Sequence, residues 1–180
     1  TSGHYYLNGK DVSSLSDDEL SEIRNQEIGF IFQGFNLIQN LTALENVELP
    51  LIYRNVPAAE RKRLSEESLK RVGLEKRMDH KPTEMSGGQQ QRVAIARALA
   101  AAPPLILADE PTGNLDSKSS REIMDILRKL HTEGRTVILI THDDKIAQSA
   151  KRIIRIMDGK IESDSGMADK KSMEEENGEE

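Results

Sequence analysis

The sequence contains no cysteine, which excludes disulfide bridges and thiolate metal sites and is compatible with a reducing compartment. It also has no apolar run of the roughly 18 residues that suggest a membrane-spanning helix. We therefore expect any role at a membrane to come through a partner. At 180 residues, with 36% hydrophobic and 31% charged residues, the chain is long enough for one globular domain.

An excess of positive charge is absent too. The net charge of −6 resides in residues 162–180, which hold eight acidic and two basic side chains, and the preceding residues are balanced. Binding of nucleic acid is not expected, because it needs a basic face. All six aromatic residues lie at or before Tyr53, so the second half offers no platform for stacking bases. Residues 163–180 are predicted to be a disordered acidic tail, with a docking tail as the alternative.

The first half of the chain has the pattern of short strands followed by helices. Residues 5–9 predict a strand and an Asn-Gly hairpin turn. A capping box at Ser16 predicts a short helix, and residues 28–32 predict a further strand. Residues 41–85 have helical patterns with long polar faces and are predicted to form a helical subdomain.

The second half alternates between helices and strands. A capping box at Ser86 predicts a helix that ends before Pro103. Residues 105–108 are a continuous apolar run, which predicts a strand buried on both faces of a parallel sheet. Residues 136–141 are predicted to form another buried strand. Residues 123–130 have helical spacing between them. This order predicts an α/β fold with a mostly parallel sheet flanked by helices.

Polar chemistry is concentrated at the start of the helix that follows Ser86. Gly87 and Gly88 let the backbone approach a ligand closely, and a helix N-terminus carries roughly half a positive charge. Ser86 adds a hydroxyl and Gln89 an amide, so these residues are predicted to bind an anion. The alternative is a plain turn in which Ser86 acts only as the helix cap.

Two carboxylates, Asp109 and Glu110, follow the predicted strand at residues 105–108. Ligands bind at the carboxyl ends of strands in open α/β sheets. Asp109 suits a magnesium shell, and Glu110 suits polarisation of an attacking water. The alternative is that both are merely solvated at a strand end.

Three further polar residues are candidates near strand ends. His142 follows the next strand and, if the strands are parallel, shares an edge with the two carboxylates and can reach a phosphate oxygen or a water. Gln33 can touch a magnesium-bound water, although a lone glutamine at a strand end means little. Asp116 is a candidate for binding, and either it or Ser117 can equally be a helix cap.

Taken together, these segments resemble the ATP-binding cassette family, the nucleotide-binding domains of ABC transporters. The resemblance runs to about Glu162 and rests on five motifs in the family's order. They are similar to its glutamine loop (Gln33), its signature loop (Ser86, Gly87, Gly88 and Gln89), its Walker B strand with the hydrolytic glutamate (Leu105 to Glu110), its D-loop (Asn114 to Asp116) and its switch histidine (His142). Residues 42–47, 89–92 and 111–116 are most similar to the branch that drives macrolide export and lipoprotein release.

The resemblance implies a P-loop NTPase fold of the ABC ATPase type, with ATP and Mg²⁺ as cofactors. Residues 1–40 would be a remnant of the β subdomain with the glutamine loop, 41–85 the inserted helical subdomain, and 86–162 the signature helix with the Walker B core. The implied catalytic residues are Glu110 and His142, the implied magnesium residues are Asp109 and Gln33 acting mainly through water, and the implied nucleotide-binding residues are Ser86, Gly87, Gly88, Gln89, Gln33 and Asp116.

The resemblance also implies two partners. Two nucleotide-binding domains would meet head to tail, with each ATP between the P-loop of one and the signature loop of the other. The helical subdomain would face a membrane permease, so the chain would lie in the cytoplasm, peripheral on the inner face of the cell membrane. No nucleic-acid partner is expected.

One feature of the family is missing from the 180 residues. No segment fits G-x-x-x-x-G-K-[ST], the P-loop that cradles phosphates. Family members carry it ahead of the segment that resembles residues 1–5, so we expect an N-terminally incomplete chain that scarcely binds ATP alone and exposes apolar surface. The expected function of the parent protein is ATP hydrolysis in an exporter or lipoprotein-releasing complex. The alternatives are a non-hydrolysing module that supplies its signature loop in trans and a soluble ABC ATPase of translation or repair.

Overall fold

The computed structural model describes residues 3–166. The chain divides into a first compact unit that ends at Ile140 and a second that begins at Thr141. The first unit contains strands β1 (Tyr6–Leu7), β2 (Lys10–Asp11), β3 (Ile28–Phe32), β4 (Leu105–Asp109) and β5 (Thr136–Ile140), helices α1 (Asp17–Glu27), α2 (Ala43–Tyr53), α3 (Ala58–Arg71), α4 (Gly87–Ala100) and α5 (Ser117–Thr132), and a 3-10 helix (Pro82–Glu84). The second unit contains α6 (Asp144–Ala147), β6 (Ile154–Met157) and β7 (Lys160–Asp164). Within residues 3–166, no helix combines the length and the apolar character needed to cross a membrane.

Local sequence signals set several turns and helix starts. Asn8 and Gly9 have φ angles of 50° and 78°, as a type I′ turn requires, and β1 pairs antiparallel with β2. The capping box at Ser16 starts α1, and the one at Ser86 starts α4. A third capping box, at Thr42, starts α2. These contacts confirm the predicted hairpin and the two predicted helix starts.

The helices predicted within residues 41–85 are present as α2 and α3, and both pack against α4. Asn46 is fully buried in α2 and fixes the loop before it, because its amide donates to the carbonyls of Ile38 and Leu41 and accepts from the N–H of Ile38. After α3, Gly73 has a φ of 73°, the left-handed conformation that commonly ends a helix. α2 and α3 also pack against each other.

A three-stranded parallel sheet, in the order β3, β4, β5, forms the centre of the first unit. The crossover from β3 to β4 runs through α2, α3 and α4, and the crossover from β4 to β5 runs through α5. Ile31, Ile106 and Ala108 are fully buried, and α4 and α5 pack against this sheet. The predicted α/β class, with a parallel sheet and flanking helices, is confirmed.

The prediction of a buried strand is wrong for β5, and β4 is not buried on both faces, because its outward Leu105 and Leu107 are only half-buried. Ile138 and Ile140 are 47% and 56% exposed, and Phe30 and Phe32 are exposed as well. Phe30, Leu107 and Ile138 are paired across the three strands, so these side chains share one face. We call Phe30, Phe32, Leu107, Ile138 and Ile140 the uncovered sheet face. An apolar run predicts a strand that can be buried, but in the described first unit the fully buried strand residues are those of the opposite face.

The second unit contains an antiparallel hairpin of β6 and β7. Asp158 and Gly159, with φ angles of 50° and 74°, form the tight turn between these two strands. Arg152 donates to both carboxylate oxygens of Asp164, at 2.8 and 2.5 Å. Because β7 runs to Asp164, the acidic tail predicted from residue 163 begins inside a strand, and its part from residue 167 onward lies outside the described residues.

Candidate functional site

The carboxyl ends of three parallel strands define the candidate site. Phe32, Asp109 and Ile140, the last residues of β3, β4 and β5, are paired across the sheet. Gln33 and Glu110 therefore leave the sheet at the same edge, which is where open α/β sheets bind ligands. The structure brings together these two segments, which the sequence places 77 residues apart.

Glu110 has a left-handed backbone, with a φ of 44°. This conformation is uncommon for a residue other than glycine. The N–H of Glu110 donates to the carbonyl of Ile140 at 2.9 Å, so the residue is held at the end of the β4–β5 ladder. Strained backbone of this kind clusters at functional sites. The geometry therefore favours a special role for Glu110 over that of a solvated carboxylate.

Asp109 is exposed and, by the alternation of strand residues, lies on the side of the uncovered sheet face. Residues 3–166 contain no group of three or more His, Cys, Asp or Glu side chains that could hold a metal ion by themselves. Mg²⁺ is commonly bound by one or two carboxylates together with water and substrate phosphates. An exposed carboxylate and a nearby strand-end amide fit that arrangement, and the magnesium role of Asp109 and Gln33 stays a prediction.

The segment that carries Gln33 rests on the loop that follows Glu110. Nδ2 of Asn114 donates to the carbonyl of Gln33 at 3.2 Å, and Nε2 of Gln33 lies 3.5 Å from Oδ1 of Asn114. A Cβ on Gly113 would lie 2.6 Å from that same Nε2 atom. The Gln33 side chain therefore packs directly over the backbone of this loop.

Residues 86–89 form a reciprocal cap. Oγ of Ser86 accepts from the N–H of Gln89 at 3.3 Å, and Oε1 of Gln89 accepts from the N–H of Ser86 at 2.9 Å. The capping interpretation is thus confirmed. Gly87 and Gly88 are the first two residues of α4, and first-turn N–H groups have no acceptor inside their own helix. Anion binding by these four residues stays a prediction.

Asp116 is the N-cap of α5. Its carboxylate accepts from the N–H groups of Lys118 and Ser119, both at 2.9 Å, and from the Ser119 hydroxyl at 2.7 Å. The hydrogen bonds from Ser119 lower the pKa of this carboxyl below its usual value. The structure thus shows the capping role, and contact with a nucleotide stays a prediction.

His142 belongs to the second unit and follows the end of β5 by two residues. Its imidazole is exposed. The next residue, Asp143, caps α6 by accepting from the N–H of Lys145 at 2.8 Å. Contact between His142 and a phosphate or a water stays a prediction.

Sequence reasoning missed Gln91, whose side chain binds backbone carbonyls at the carboxyl ends of β3 and β4. This residue is fully buried in α4, and its Nε2 donates to the carbonyls of Pro111 at 2.7 Å and Phe32 at 3.3 Å. The only available signal is a glutamine just before the apolar run 93–96. Such a signal shows that something polar is buried but not which backbone groups it meets.

Sequence reasoning also missed Arg97 of α4, because the sequence does not show which backbone groups its side chain meets. Its guanidinium donates to the carbonyls of Phe35 at 2.9 Å and Asn36 at 2.5 Å. Both of these residues have a left-handed backbone, with φ angles of 60° and 50°. Burial lowers the pKa of Arg97 from its usual value. The loop after Gln33 is therefore held in an unusual shape by a residue about 60 positions away.

Comparison with known proteins agrees with this geometry. Residues 1–113 match the family model described as ABC transporter. An uncharacterized ABC transporter ATP-binding protein of Thermotoga maritima is 54% identical over 162 residues, which cover 90% of this chain and 69% of that protein. The macrolide export ATP-binding/permease protein MacB of Mannheimia succiniciproducens is 54% identical over 165 residues, which cover 92% of this chain. The chain spans only 26% of the length of that MacB protein.

Solved structures show the same relationship. A dimeric structure of MJ0796, a bacterial ABC transporter cassette, has a TM-score of 0.82 at 51% identity, covering 92% of this chain and 73% of that chain. MJ0796 in a post-hydrolysis state bound to ADP and Pi has the same TM-score at 50% identity. With the strand-edge carboxylates, the capped diglycine helix and the cassette fold all in agreement, the family predicted from the motifs is confirmed, and this chain belongs to the ABC transporter family.

Proposed function

We propose that this chain is part of the ATP-binding and hydrolysing subunit of an ABC exporter or lipoprotein-releasing complex. The observation that carries the proposal is Glu110, held with a left-handed backbone at the strand edge beside the segment of Gln33. The names of the MacB relatives, and a similar cassette bound to ADP and Pi, support nucleotide chemistry linked to export.

The strand-edge residues have separate roles in this proposal. Glu110 orients the water that attacks the γ-phosphate in line and accepts its proton. Bound Mg²⁺ supplies positive charge to the phosphate oxygens. Asp109 and Gln33 hold that ion, mainly through water, and His142 contacts the transferred phosphate.

A second cassette completes each nucleotide site in this proposal. Ser86, Gly87, Gly88 and Gln89 offer first-turn N–H groups and polar side chains to the nucleotide held by the partner, in a head-to-tail pair. Asp116 lies beyond them at the start of α5 and contacts the same nucleotide. The dimeric structures of MJ0796 support pairing of two cassettes.

The second proposed partner is a membrane permease that docks on the helical region, residues 41–85. A groove of about 1260 Å³ lies between α2 of this region and the neighbouring α1, β3 and α4. Its lining includes Phe30, Tyr53 and Arg54, and Tyr53 is 78% exposed. Aromatic residues and arginine are enriched in protein interfaces. Docking there places the chain on the cytoplasmic face of the membrane, and the ATP-binding/permease names of the relatives support it.

The role of Glu110 is tested in a chain whose N-terminus is extended by a P-loop segment of the family. We expect Glu110→Gln to lower kcat for ATP by about 100-fold or more while ATP binding is retained, because only the general base is lost. Glu67→Gln, which removes an exposed carboxylate on α3, is the matched control and should leave turnover unchanged. An unaffected rate in Glu110→Gln would exclude the proposed role.

We propose that the 180 residues alone bind ATP weakly, since they contain no P-loop sequence. Loss of three charge-assisted phosphate contacts, at roughly 1.5–3 kcal/mol each, weakens binding by about a thousandfold or more. Isothermal titration with ATP, with and without the added P-loop segment, measures the difference. Equal affinity in the two chains would contradict the proposal.

A second candidate function is a non-hydrolysing module that lends its signature loop to an intact cassette. The exposed Ser86 and the complete cap of α4 favour it, because this loop is formed without any P-loop from the same chain. A mixture with the Thermotoga maritima relative should then form heterodimers in sedimentation experiments only when ATP is present. Absence of association at every ATP concentration would rule this function out.

A further inference from the structure

One buried amide joins the two strand ends that carry Gln33 and Glu110. The Nε2 group of Gln91 donates to the carbonyl of Pro111 at 2.7 Å and to that of Phe32 at 3.3 Å. Pro111 immediately follows Glu110, and Phe32 immediately precedes Gln33. The amide therefore donates both of its hydrogen bonds to backbone carbonyls adjacent to Gln33 and Glu110.

This contact lies where the β ladder stops. The last pair between β3 and β4 is Phe32 with Asp109. Gln33 and Asn114 also contact each other, at the longer distances of 3.2 Å and 3.5 Å. The 2.7 Å hydrogen bond from Gln91 to Pro111 is shorter than either of these contacts, and it is buried.

Stability alone does not explain a glutamine at this position. Gln91 is fully buried, and its Oε1 atom is also buried, with no hydrogen-bond partner among the described residues. Burying an acceptor without a partner costs free energy, which an apolar side chain of similar size would avoid. We therefore attribute the presence of glutamine at position 91 to its two N–H donors.

We propose that Gln91 is a positioning residue for ATP hydrolysis, which holds the segments of Gln33 and Glu110 at a fixed spacing. The inference rests on the proposed function, because it assigns those two residues to the reaction. Gln91 acts on the backbone only and does not itself touch the nucleotide. Its loss should disturb the alignment of the water and the ion while leaving the affinity for ATP largely unchanged.

Hydrogen exchange in the 180-residue chain, followed by NMR, tests the clamp itself. Gln91→Met keeps the length of the side chain and removes both donors. Gln90→Met is the matched control, since Gln90 is the adjacent residue of α4 and donates to the carbonyl of Met85 at 3.1 Å rather than to a strand end. The reporter is the amide of Glu110, which donates to Ile140.

The expected result is exchange at Glu110 that is roughly five- to tenfold faster in Gln91→Met than in Gln90→Met, with a smaller change at Ala108 in the middle of β4. Equal exchange at Glu110 in the two variants would overturn the inference. An equal rise at every amide of β3, β4 and β5 would overturn it too, because it would show a purely structural role.

Turnover separates this inference from the proposed function. In the chain extended by a P-loop segment, we expect Gln91→Met to lower kcat about tenfold or more, with KM for ATP within about twofold of the unaltered value. An unchanged kcat would overturn the inference. If the unaltered extended chain does not hydrolyse ATP, the proposed function fails, and the positioning role fails with it even where the exchange result shows the clamp.

The unaltered chain provides a check that does not depend on the folding of a variant. The Nε2 protons of Gln91 should exchange at least tenfold more slowly than those of Gln148, whose residue is exposed on the surface of the second unit. Equal exchange of the two side-chain amides would show that Gln91 does not hold the strand ends.

Discussion

Gly88 brings α4 into close contact with α5. A Cβ at Gly88 would lie 2.5 Å from Oγ and 2.8 Å from Cβ of Ser119, whereas a Cβ at Gly87 would find its nearest neighbour at 3.5 Å. We expect Gly88→Ala to lower the free energy of unfolding by about 1–3 kcal/mol through overpacking. Gly87→Ala should be neutral or slightly stabilising, because alanine favours the helix. Urea denaturation of both variants measures the difference.

A compensating change tests the cause of that effect. Ser119→Gly removes the atoms that the new methyl group would strike, so the double variant should recover part of the loss relative to Ser119→Gly alone. If Gly88→Ala is as stable as Gly87→Ala, that result would contradict the close contact between Gly88 and Ser119. The same close contact makes Gly88 a packing residue as well as a candidate for binding.

For single residues, contacts between residues close in the sequence could be predicted. Contacts between residues far apart in the sequence could not. The cap between Ser86 and Gln89 follows from a spacing of three residues, which the helix geometry fixes. Gln91 and Arg97 bind carbonyls that lie 20 to 62 residues away, and every residue carries a carbonyl group. Nothing in the sequence singles out those acceptors, so their partners became known only from the fold.

At the scale of elements, Arg97 links α4 to the loop that follows β3. Arg97→Met leaves the carbonyls of Phe35 and Asn36 without this donor, at two residues whose left-handed backbone is already unfavourable. We expect the free energy of unfolding to fall by about 1–3 kcal/mol. Amide exchange should rise most within residues 33–36. Denaturation combined with hydrogen exchange measures both effects.

Two further variants control for charge and geometry in that experiment. Arg121→Met removes an exposed arginine from α5 and should change stability little. Arg97→Lys keeps the charge but replaces the planar fork with a single ammonium, so it should restore only part of the loss. Full stability in Arg97→Met would show that the loop keeps its shape without the guanidinium.

The β6–β7 hairpin of the second unit should be sensitive to acid. The hydrogen bonds from Arg152 lower the pKa of Asp164 to about 2, well below its usual value of 3.8. Because the folded pKa is the lower one, the stabilisation is complete above about pH 4 and is lost as the pH falls towards 2. Exchange of the β7 amides between pH 5 and pH 2 measures this loss. Arg152→Met should weaken the hairpin at pH 5 and remove most of its pH dependence, and an unchanged profile would contradict the ion pair.

For the molecule as a whole, the sequence indicated the class of fold but not which surfaces are covered. The apolar run 137–140 is compatible with a strand inside a sheet of any width. Among the described strands, β5 lies at the edge of its sheet, and its outward residues Ile138 and Ile140 are exposed. Burial of a strand depends on the layers above and below it, which are set by other segments. The expectation of exposed apolar surface, which came from the missing P-loop, is confirmed for this face.

The uncovered sheet face should control the behaviour of the chain in solution. Exposed apolar patches of this kind bind hydrophobic dyes and promote association. We expect the chain to bind such a dye and to self-associate in sedimentation experiments. The double variant Ile138→Thr with Ile140→Thr should reduce both effects while largely preserving the fold, because threonine suits an exposed strand position.

A matched pair on the other face of the same strand separates exposure from composition. Val137 and Leu139 alternate with the exposed residues and are partly buried on the side of the fully buried strand residues. Val137→Thr with Leu139→Thr should therefore lower the free energy of unfolding, by about 1–3 kcal/mol for each buried apolar side chain, and should not reduce self-association. If both double variants reduce self-association equally, the uncovered sheet face is not the cause of self-association. If the unaltered chain is monomeric and binds no dye, the predicted effect of this face in solution is wrong.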